Sequence, residues 1–261
     1  MNLAIIGCGN IGKAIAGFIE TDAGKRIELS GLFDIDVDRA NELAGRLKNR
    51  PRVFASPEEL FENKGIDYVL EAASQEAVRL YGKKTLESGK SIIIMSVGAF
   101  TDDALFREMK EAAERRGLKI YIPSGAVAGI DGLKSAGSGR IYQVTLTTRK
   151  NPRSLDVNVR GEKVLYDGPA REGIKKYPKN VNVASTISLA GVGLDKTRLK
   201  LIADPGTDKN THDLHVKGEF GEFSVKVENI PSPENPRTSY LAVLSAIATI
   251  RKIAEPVQIG T

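Results

Sequence analysis

Short apolar runs alternate with longer charged segments over the first half of the chain. The apolar runs cover residues 3–6, 27–33, 52–54, 67–72, 91–96 and 119–122. A helix-like segment covers residues 13–20, and charged segments with helical spacing cover residues 37–48, 76–88 and 102–116. Short buried strands that alternate with helices are typical of a parallel sheet with helices on both faces. The pattern therefore predicts an α/β domain over residues 1–123.

The pattern changes at the small, glycine-rich segment 124–132, where we place a domain boundary. Beyond it, residues 141–148 and 214–227 alternate apolar and polar positions, as strands of an antiparallel sheet do. A helix-like stretch at 183–193 lies between them. We therefore predict a second, α+β domain over residues 124–234, which would hold the substrate.

The last segment, residues 235–261, begins with a helix-start signal. Asn235 is a good N-cap residue, and Pro236 suits the first helical position. A mostly apolar helix is predicted over residues 238–252, and a helix of that composition is usually buried. We expect it to pack back against the first domain or against a partner subunit.

A glycine-rich turn connects the first predicted strand and helix. Its sequence fits the spacing G-x-G-x-x-G, and Asp34 follows the last of these glycines by 22 residues, after the second strand. Such a turn leaves backbone N–H groups free to bind a pyrophosphate, and the acid can bind a ribose diol. The alternative is a tight strand-to-helix turn with no ligand. The predicted contacts, all at carboxyl ends of strands, are Gly7, Gly9, Asn10, Ile11, Gly12, Asp34, Ala73 and Ser96.

The residues around Asp34 favour NAD over NADP as the cofactor. Asp34, Asp36 and Asp38 precede Arg39, and a 2′-phosphate at the end of this strand would need a cation instead of an acid. Asp36 and Asp38 are better explained as the start of the next helix, where negative charge is favourable. Cys8 lies between glycines without a base nearby, so we interpret it as structural.

The composition is that of an ordinary globular protein. The 261 residues carry a net charge of +5, and the basic residues are scattered among acidic ones, which argues against a nucleic-acid partner. One cysteine excludes an internal disulfide, and no apolar run approaches the length of a membrane span. No signal peptide precedes the first strand, so we expect a cytoplasmic protein without a membrane partner.

The chain has two histidines, His212 and His215, and a strand alternates between its faces. His212 has an even number, as do the apolar residues Leu214, Val216 and Phe220, so it is predicted to lie on the same inward face of the strand. His215 is predicted to lie on the polar face. An inward histidine at a cavity is either a general acid or base or a hydrogen-bonded structural residue. Two histidines that diverge in this way predict no metal site.

Several motifs in order along the chain closely resemble archaeal and bacterial L-aspartate dehydrogenases. They are GCGNIG at 7–12, VLEAASQEAV at 69–78, SVGAF at 96–100, SGAVAGIDGL at 124–133, TTRKNP at 147–152, PKNVNVAST at 178–186, KNTHDLHVKGEFG at 209–221 and NPRTSYLAVLSA at 235–246. The resemblance implies NAD(P)-linked oxidative deamination of L-aspartate to oxaloacetate and ammonia through an imino acid, which could supply NAD biosynthesis.

By the same resemblance, His212 corresponds to the catalytic histidine. Ala126 and Asn182 correspond to cofactor contacts, and their neighbour Asn180 is a candidate substrate contact. The two substrate carboxylates need cations or N–H donors. The candidates are Arg149, Lys150 and Lys196, and the alternative for each is an ordinary surface charge. A homodimer is expected. The alternatives are another reductase on the same scaffold, of the homoserine dehydrogenase or dihydrodipicolinate reductase type, or a non-enzymatic NADH-sensing module.

Overall fold

The chain divides into two compact units. The structure, a computed structural model, describes residues 1–21, 26–178, 182–232 and 235–261. One unit comprises Met1–Pro123 and Ala246–Gln258, and the other comprises Ser124–Ser245 and Ile259–Thr261.

A six-stranded parallel sheet forms the centre of the first unit. Its strands are β1 (Asn2–Ile6), β2 (Glu28–Phe33), β3 (Arg52–Val53), β4 (Tyr68–Glu71), β5 (Ser91–Ile94) and β6 (Ile120–Tyr121), in the order β3-β2-β1-β4-β5-β6. The strand order reverses between β1 and β4, which is where doubly wound sheets bind their ligands. All six predicted strands and the α/β fold class are confirmed.

Among the described residues up to Pro123, five α-helices accompany this sheet, and the last four begin at capping side chains that the sequence provides. They are α1 (Asn10–Thr21), α2 (Val37–Arg46), α3 (Pro57–Glu62), α4 (Gln75–Glu87) and α5 (Asp103–Arg116). Ser74 Oγ accepts the Ala77 N–H at the start of α4, and Asp102 does the same for two N–H groups of α5. Only α3 was not predicted, because its six residues are too few to show helical periodicity.

A five-stranded mixed sheet forms the second unit. Its strands are β7 (Ile141–Lys150), β8 (Lys163–Pro169), β9 (Thr197–Ala203), β10 (Asn210–Gly218) and β11 (Gly221–Asn229), in the order β11-β10-β7-β9-β8. The helices α6 (Ile130–Ala136), α7 (Ala170–Lys176) and α8 (Asn182–Ala190) belong to the same unit.

The strand pairing in this sheet departs from the antiparallel prediction at one place. The pair β7–β9 is parallel, and the elements between the two strands supply the long connection that a parallel pair needs. The prediction also missed α6, α7, β8 and β9. Phe220 lies in the turn after β10 and is half exposed, so the prediction that it points inward with Leu214 and Val216 was wrong.

The C-terminal helix starts later than predicted. Residues Asn235–Ser239 form strand β13, which pairs with β12 (Pro231–Ser232), and helix α9 runs from Tyr240 to Ala254. The Tyr240 N–H donates to the Ile230 carbonyl, so the chain stays hydrogen-bonded as a ribbon through Ser239. This pairing overrides the cap signal of Asn235 and Pro236. The helix is also not uniformly buried, since Leu244 is 40% exposed.

Candidate active site

The glycine turn after β1 has the geometry of a dinucleotide cradle. Gly7 has φ +102°, and a Cβ there would lie 2.8 Å from the backbone of Ala72. A Cβ on Gly12 would lie 2.0 Å from the Gly7 carbonyl oxygen, so neither position accepts a side chain without a shift of the turn. At Gly9 the space is open, with no atom within 4 Å. The N-terminus of α1 follows directly, so Asn10 and Ile11 belong to its first turn.

A cleft of about 210 Å³ lies beside this turn. It is lined by Ile6, Gly7, Phe33, Asp34, Ile35, Ala73, Ser74, Glu76, Ala77, Leu80 and Tyr81. Ile35 and Leu80 are 87% and 50% exposed, and both contribute apolar surface to the cleft. A mainly apolar cleft that adjoins a glycine turn and contains the buried acid Asp34 and the exposed acid Glu76 fits the adenosine half of a dinucleotide.

Asp34 is buried at the end of β2 and already has backbone partners. Its carboxylate accepts the Cys8 N–H at 2.7 Å and the Asp36 N–H at 2.9 Å. The Arg39 guanidinium lies 3.9 Å from the same carboxylate, so a cation lies beside the acid predicted to bind the ribose. Burial raises the pKa of the Cys8 thiol to about 12, so this thiol is protonated and inert.

Glu71, a residue that the sequence analysis did not single out, joins the loops that carry Ala73 and Ser96. It is the last residue of β4 and is 1% exposed. Its carboxylate accepts the N–H groups of Ala73, Ser74 and Ser96 at 2.9, 2.9 and 3.0 Å, and the Ser96 hydroxyl at 2.8 Å. An acid at the end of an apolar run is the only signal that could have identified it.

The inward face of the second sheet carries His212 together with Thr148 and Lys150. His212 pairs with Thr148 across β10 and β7, and its Nδ1 lies 3.0 Å from Thr148 Oγ1. Lys150 lies two residues along β7 from Thr148 and therefore on the same face. All three side chains are buried. The predicted inward orientation of His212 is confirmed.

Burial shifts both ionisable groups of this face toward their neutral forms. It lowers the pKa of the Lys150 ammonium to about 8. Burial, with a smaller contribution from the Lys150 charge, lowers the pKa of His212 to about 3. At neutral pH, His212 is therefore an uncharged imidazole beside a lysine that is mostly protonated.

Two buried asparagines that the sequence analysis did not identify hold the loop of Ala126 near β10. Asn229 Nδ2 donates to the carbonyls of Ala126 at 2.9 Å and of Asn210 at 3.2 Å. Asn210 Nδ2 lies 3.4 Å from Ser239 Oγ, and Asn210 precedes His212 by two residues on β10. Ala126 is thereby fixed within the same unit as the histidine.

Two of the three proposed carboxylate ligands, Arg149 and Lys196, lie away from His212. The Arg149 side chain points to the opposite face of β7, where it pairs with Glu162 and Asp204. Lys196 is exposed before β9, at the end of the sheet far from Lys150. Asn180 lies outside the described residues. The structure therefore leaves Lys150 as the cation beside His212, and Arg149 and Lys196 are better explained by surface ion pairs and solvent.

The other two polar candidates are both at solvent-accessible positions. Asn182 is the exposed first residue of α8. His215 lies on the outward face of β10, where Nδ1 is 3.0 Å from Ser224 Oγ. Within the described ranges, no three His, Cys, Asp or Glu side chains form a group that could hold a metal ion. No helix among the described residues has the length and hydropathy to cross a membrane.

Two protein families match this chain, one in each half. Residues 131–253 match the family described as "Aspartate dehydrogenase, C-terminal", and residues 7–123 match "Homoserine dehydrogenase, NAD binding domain". The chain is 46% identical to an L-aspartate dehydrogenase of Methanosarcina barkeri and 47% identical to one of Methanosarcina acetivorans, in each case over 100% of both chains.

Solved structures show the same relationship. An aspartate dehydrogenase from Thermotoga maritima superposes with a TM-score of 0.80 at 30% identity, over 100% of this chain and 99% of the other. A homoserine dehydrogenase from Thiobacillus denitrificans superposes with a TM-score of 0.65 at 14% identity, over 97% of this chain and 73% of the other. The second likeness concerns the fold alone.

Proposed function

Because this chain belongs to the L-aspartate dehydrogenase family, we propose that it catalyses the NAD(P)-dependent oxidative deamination of L-aspartate to oxaloacetate and ammonia, through iminoaspartate. The observation that carries the proposal is the buried, neutral His212 beside the Lys150 ammonium on one sheet face. A dicarboxylate that loses a proton and an amine needs a base and a cation of this kind. The cofactor is a nicotinamide dinucleotide, which accepts the hydride from the substrate.

The dinucleotide would be held mainly by the first unit. The N–H groups of residues 7–12 suit the pyrophosphate, Asp34 suits the adenosine ribose, and Ala73 and Ser96 follow the neighbouring strands β4 and β5. In the second unit, Ala126 and Asn182 are the proposed contacts. Asp34 favours NAD, and we propose that NADP is accepted more weakly, with Arg39 as its phosphate ligand.

His212 would move the protons of the reaction through Nε2. For Nε2 to accept a proton, Nδ1 must carry the hydrogen and donate it to Thr148 Oγ1. The water that attacks the imino carbon would lose its proton to Nε2, and the leaving amine would take that proton up. A pKa of about 3 is low for a base, but two substrate carboxylates nearby would stabilise the imidazolium and raise it.

Lys150 would bind one of the two substrate carboxylates. Its ammonium group is buried, and a buried charge is stabilised by an ion of opposite sign. A bound carboxylate would also raise the pKa of Lys150 from about 8, so that the lysine stays charged during turnover.

Replacing Thr148 with valine should lower kcat about five- to tenfold, because His212 loses the partner that fixes its tautomer. The KM for L-aspartate and the Kd for NADH should change little. Steady-state kinetics and NADH fluorescence titration would measure these values. Thr148→Ser keeps the hydroxyl and should restore kcat. A Thr148→Ser variant as slow as Thr148→Val would contradict the assigned hydrogen bond.

Replacing Asp34 with alanine should weaken NAD binding about tenfold or more and NADP binding much less. The carboxylate that binds the ribose diol is lost, while Arg39, which still pairs with Asp36 at 3.2 Å, keeps its positive charge for a 2′-phosphate. Kinetic KM values for both cofactors would test this. Equal losses would show that Asp34 acts only by anchoring the Cys8 N–H.

The activity itself is tested by NADH oxidation with oxaloacetate and ammonium. The purified protein should oxidise NADH when both are present, and omission of ammonium should stop the reaction. Aspartate semialdehyde and dihydrodipicolinate serve as parallel substrates for the related reductases. Turnover of either one without turnover of oxaloacetate would assign the protein to another activity, and NADH binding without any turnover would indicate a sensing module.

We further propose that the enzyme acts in the cytoplasm as a homodimer and can supply iminoaspartate to NAD biosynthesis. The exposed apolar side chains of Tyr240 and Leu244 on α9 support a subunit contact. Analytical ultracentrifugation of the wild-type protein would test this, and a purely monomeric protein at micromolar concentration would contradict the dimer.

A further inference from the structure

Glu71 carries a buried carboxylate whose partners are all neutral groups. Three backbone N–H groups and one hydroxyl donate to it, from Ala73, Ser74 and Ser96. Three of these bonds reach Oε1, and the fourth reaches Oε2. The carboxylate therefore ties together the loops that follow β4 and β5.

This arrangement suits the ionised form of the carboxyl group. Burial raises the pKa of Glu71 above its ordinary value, and the four hydrogen bonds from its neighbours reduce this rise without cancelling it. An ionised carboxylate accepts all four, while a protonated one would have to place its own hydrogen among donors. Neutral dipoles thus stabilise a negative charge inside the first unit.

The sheet order fixes which half of the cofactor this charge would face. Asp34 follows β2 on one side of β1, and Glu71 ends β4 on the other side of β1. A dinucleotide with its pyrophosphate on the glycine turn and its adenosine ribose at Asp34 has its nicotinamide half toward β4 and β5.

We propose that Glu71 sets the preference of the site for the oxidised cofactor, because its negative charge stabilises the positively charged nicotinamide ring of NAD⁺. The reduced ring is neutral and gains nothing from this charge. Even at roughly 15 Å and an effective dielectric constant of about 20, such an attraction changes an equilibrium constant about sixfold. Glu71 therefore has two roles. It positions the loops of Ala73 and Ser96, and its charge stabilises the oxidised nicotinamide ring. The inference rests on the dinucleotide cofactor and not on the identity of the substrate.

The test is the binding of both cofactor forms, without substrate, to the Glu71→Gln variant. NADH is titrated by its fluorescence, and NAD⁺ is titrated by competition against it. We expect the ratio Kd(NAD⁺)/Kd(NADH) to rise about sixfold or more. If Glu71 only holds the loops, both dissociation constants will increase by the same factor, and the proposal is overturned.

Two control variants separate charge from loop geometry. Ser96→Ala removes one hydrogen bond to Glu71 but keeps its charge, so both dissociation constants should move together. Asp67→Asn changes an exposed acid just before β4, at the other end of that strand, where it accepts the Asn2 N–H. Neither should alter the ratio, and a ratio that rose equally in Asp67→Asn would contradict a specific role for Glu71.

The wild-type protein provides a second measurement that does not depend on the folding of a core variant. With the Glu71 charge in place, NAD⁺ should bind at least as tightly as NADH. Binding of NADH about tenfold or more tightly than NAD⁺ would overturn the proposal, whatever the behaviour of the variants.

Discussion

Replacement of His212 by alanine is expected to lower kcat for L-aspartate oxidation by about 10²- to 10⁴-fold, the usual contribution of a general acid or base. His212 is the histidine on the inward face of β10, beside Thr148 and Lys150. Without it, no imidazole receives the proton of the attacking water. The Kd for NADH should change less than about twofold, because the proposed cradle belongs to the other unit.

The second histidine of the chain is a matched control. His215 lies on the same strand with opposite parity and contacts Ser224, so His215→Ala should keep wild-type kinetics. Single-turnover measurements, with NADH formation followed by absorbance, separate the chemical step from product release. An His212→Ala variant with unaltered single-turnover rates, and with a wild-type thermal unfolding transition, would remove His212 from the mechanism.

The strands of the first unit and its helices other than α3 could be predicted because each is encoded locally. Parallel strands buried on both faces appear as continuous apolar runs, and β5 is the run Ser91–Ile94 with every residue buried. The C-terminal helix start could not be predicted from its cap signal. Asn235 and Pro236 have the composition of a helix start, but pairing of β13 with β12 keeps that segment extended, and no local signal encodes this pairing.

Strand alternation was enough to predict on which face of the sheet a site residue lies, but not which distant loops a site residue contacts. Strand alternation alone placed His212 inward, and the same rule applied to β7 separates Lys150 from Arg149. Glu71 and Asn229 are different, because each bonds to a loop that is distant in sequence, Glu71 to Ser96 at 25 residues and Asn229 to Ala126 at 103 residues. Their partners are brought close because certain strand ends are neighbours in the sheet. A single sequence does not specify this strand order.

Replacement of Lys150 by methionine is expected to raise the KM for L-aspartate about ten- to hundredfold, since a charged hydrogen bond to a substrate carboxylate is lost. Methionine keeps most of the volume of the buried side chain, so the fold should be preserved. Lys217→Met is the matched control, because Lys217 is exposed on the outward face of β10. A KM that is unchanged in Lys150→Met would exclude the lysine as a carboxylate ligand.

The pH dependence of dicarboxylate binding gives an independent test of the same lysine. Succinate has no amine and stays fully ionised from about pH 7 to about pH 9.5, so its competitive inhibition constant reports the protein. Burial lowers the pKa of Lys150 to about 8, below that of an exposed lysine. Deprotonation above that pH removes the cation, so the wild-type inhibition constant should rise as pH increases through about 8. The Lys150→Met variant should show weak inhibition without this rise, and a wild-type constant that stays flat across the range would contradict a charged Lys150 at the substrate.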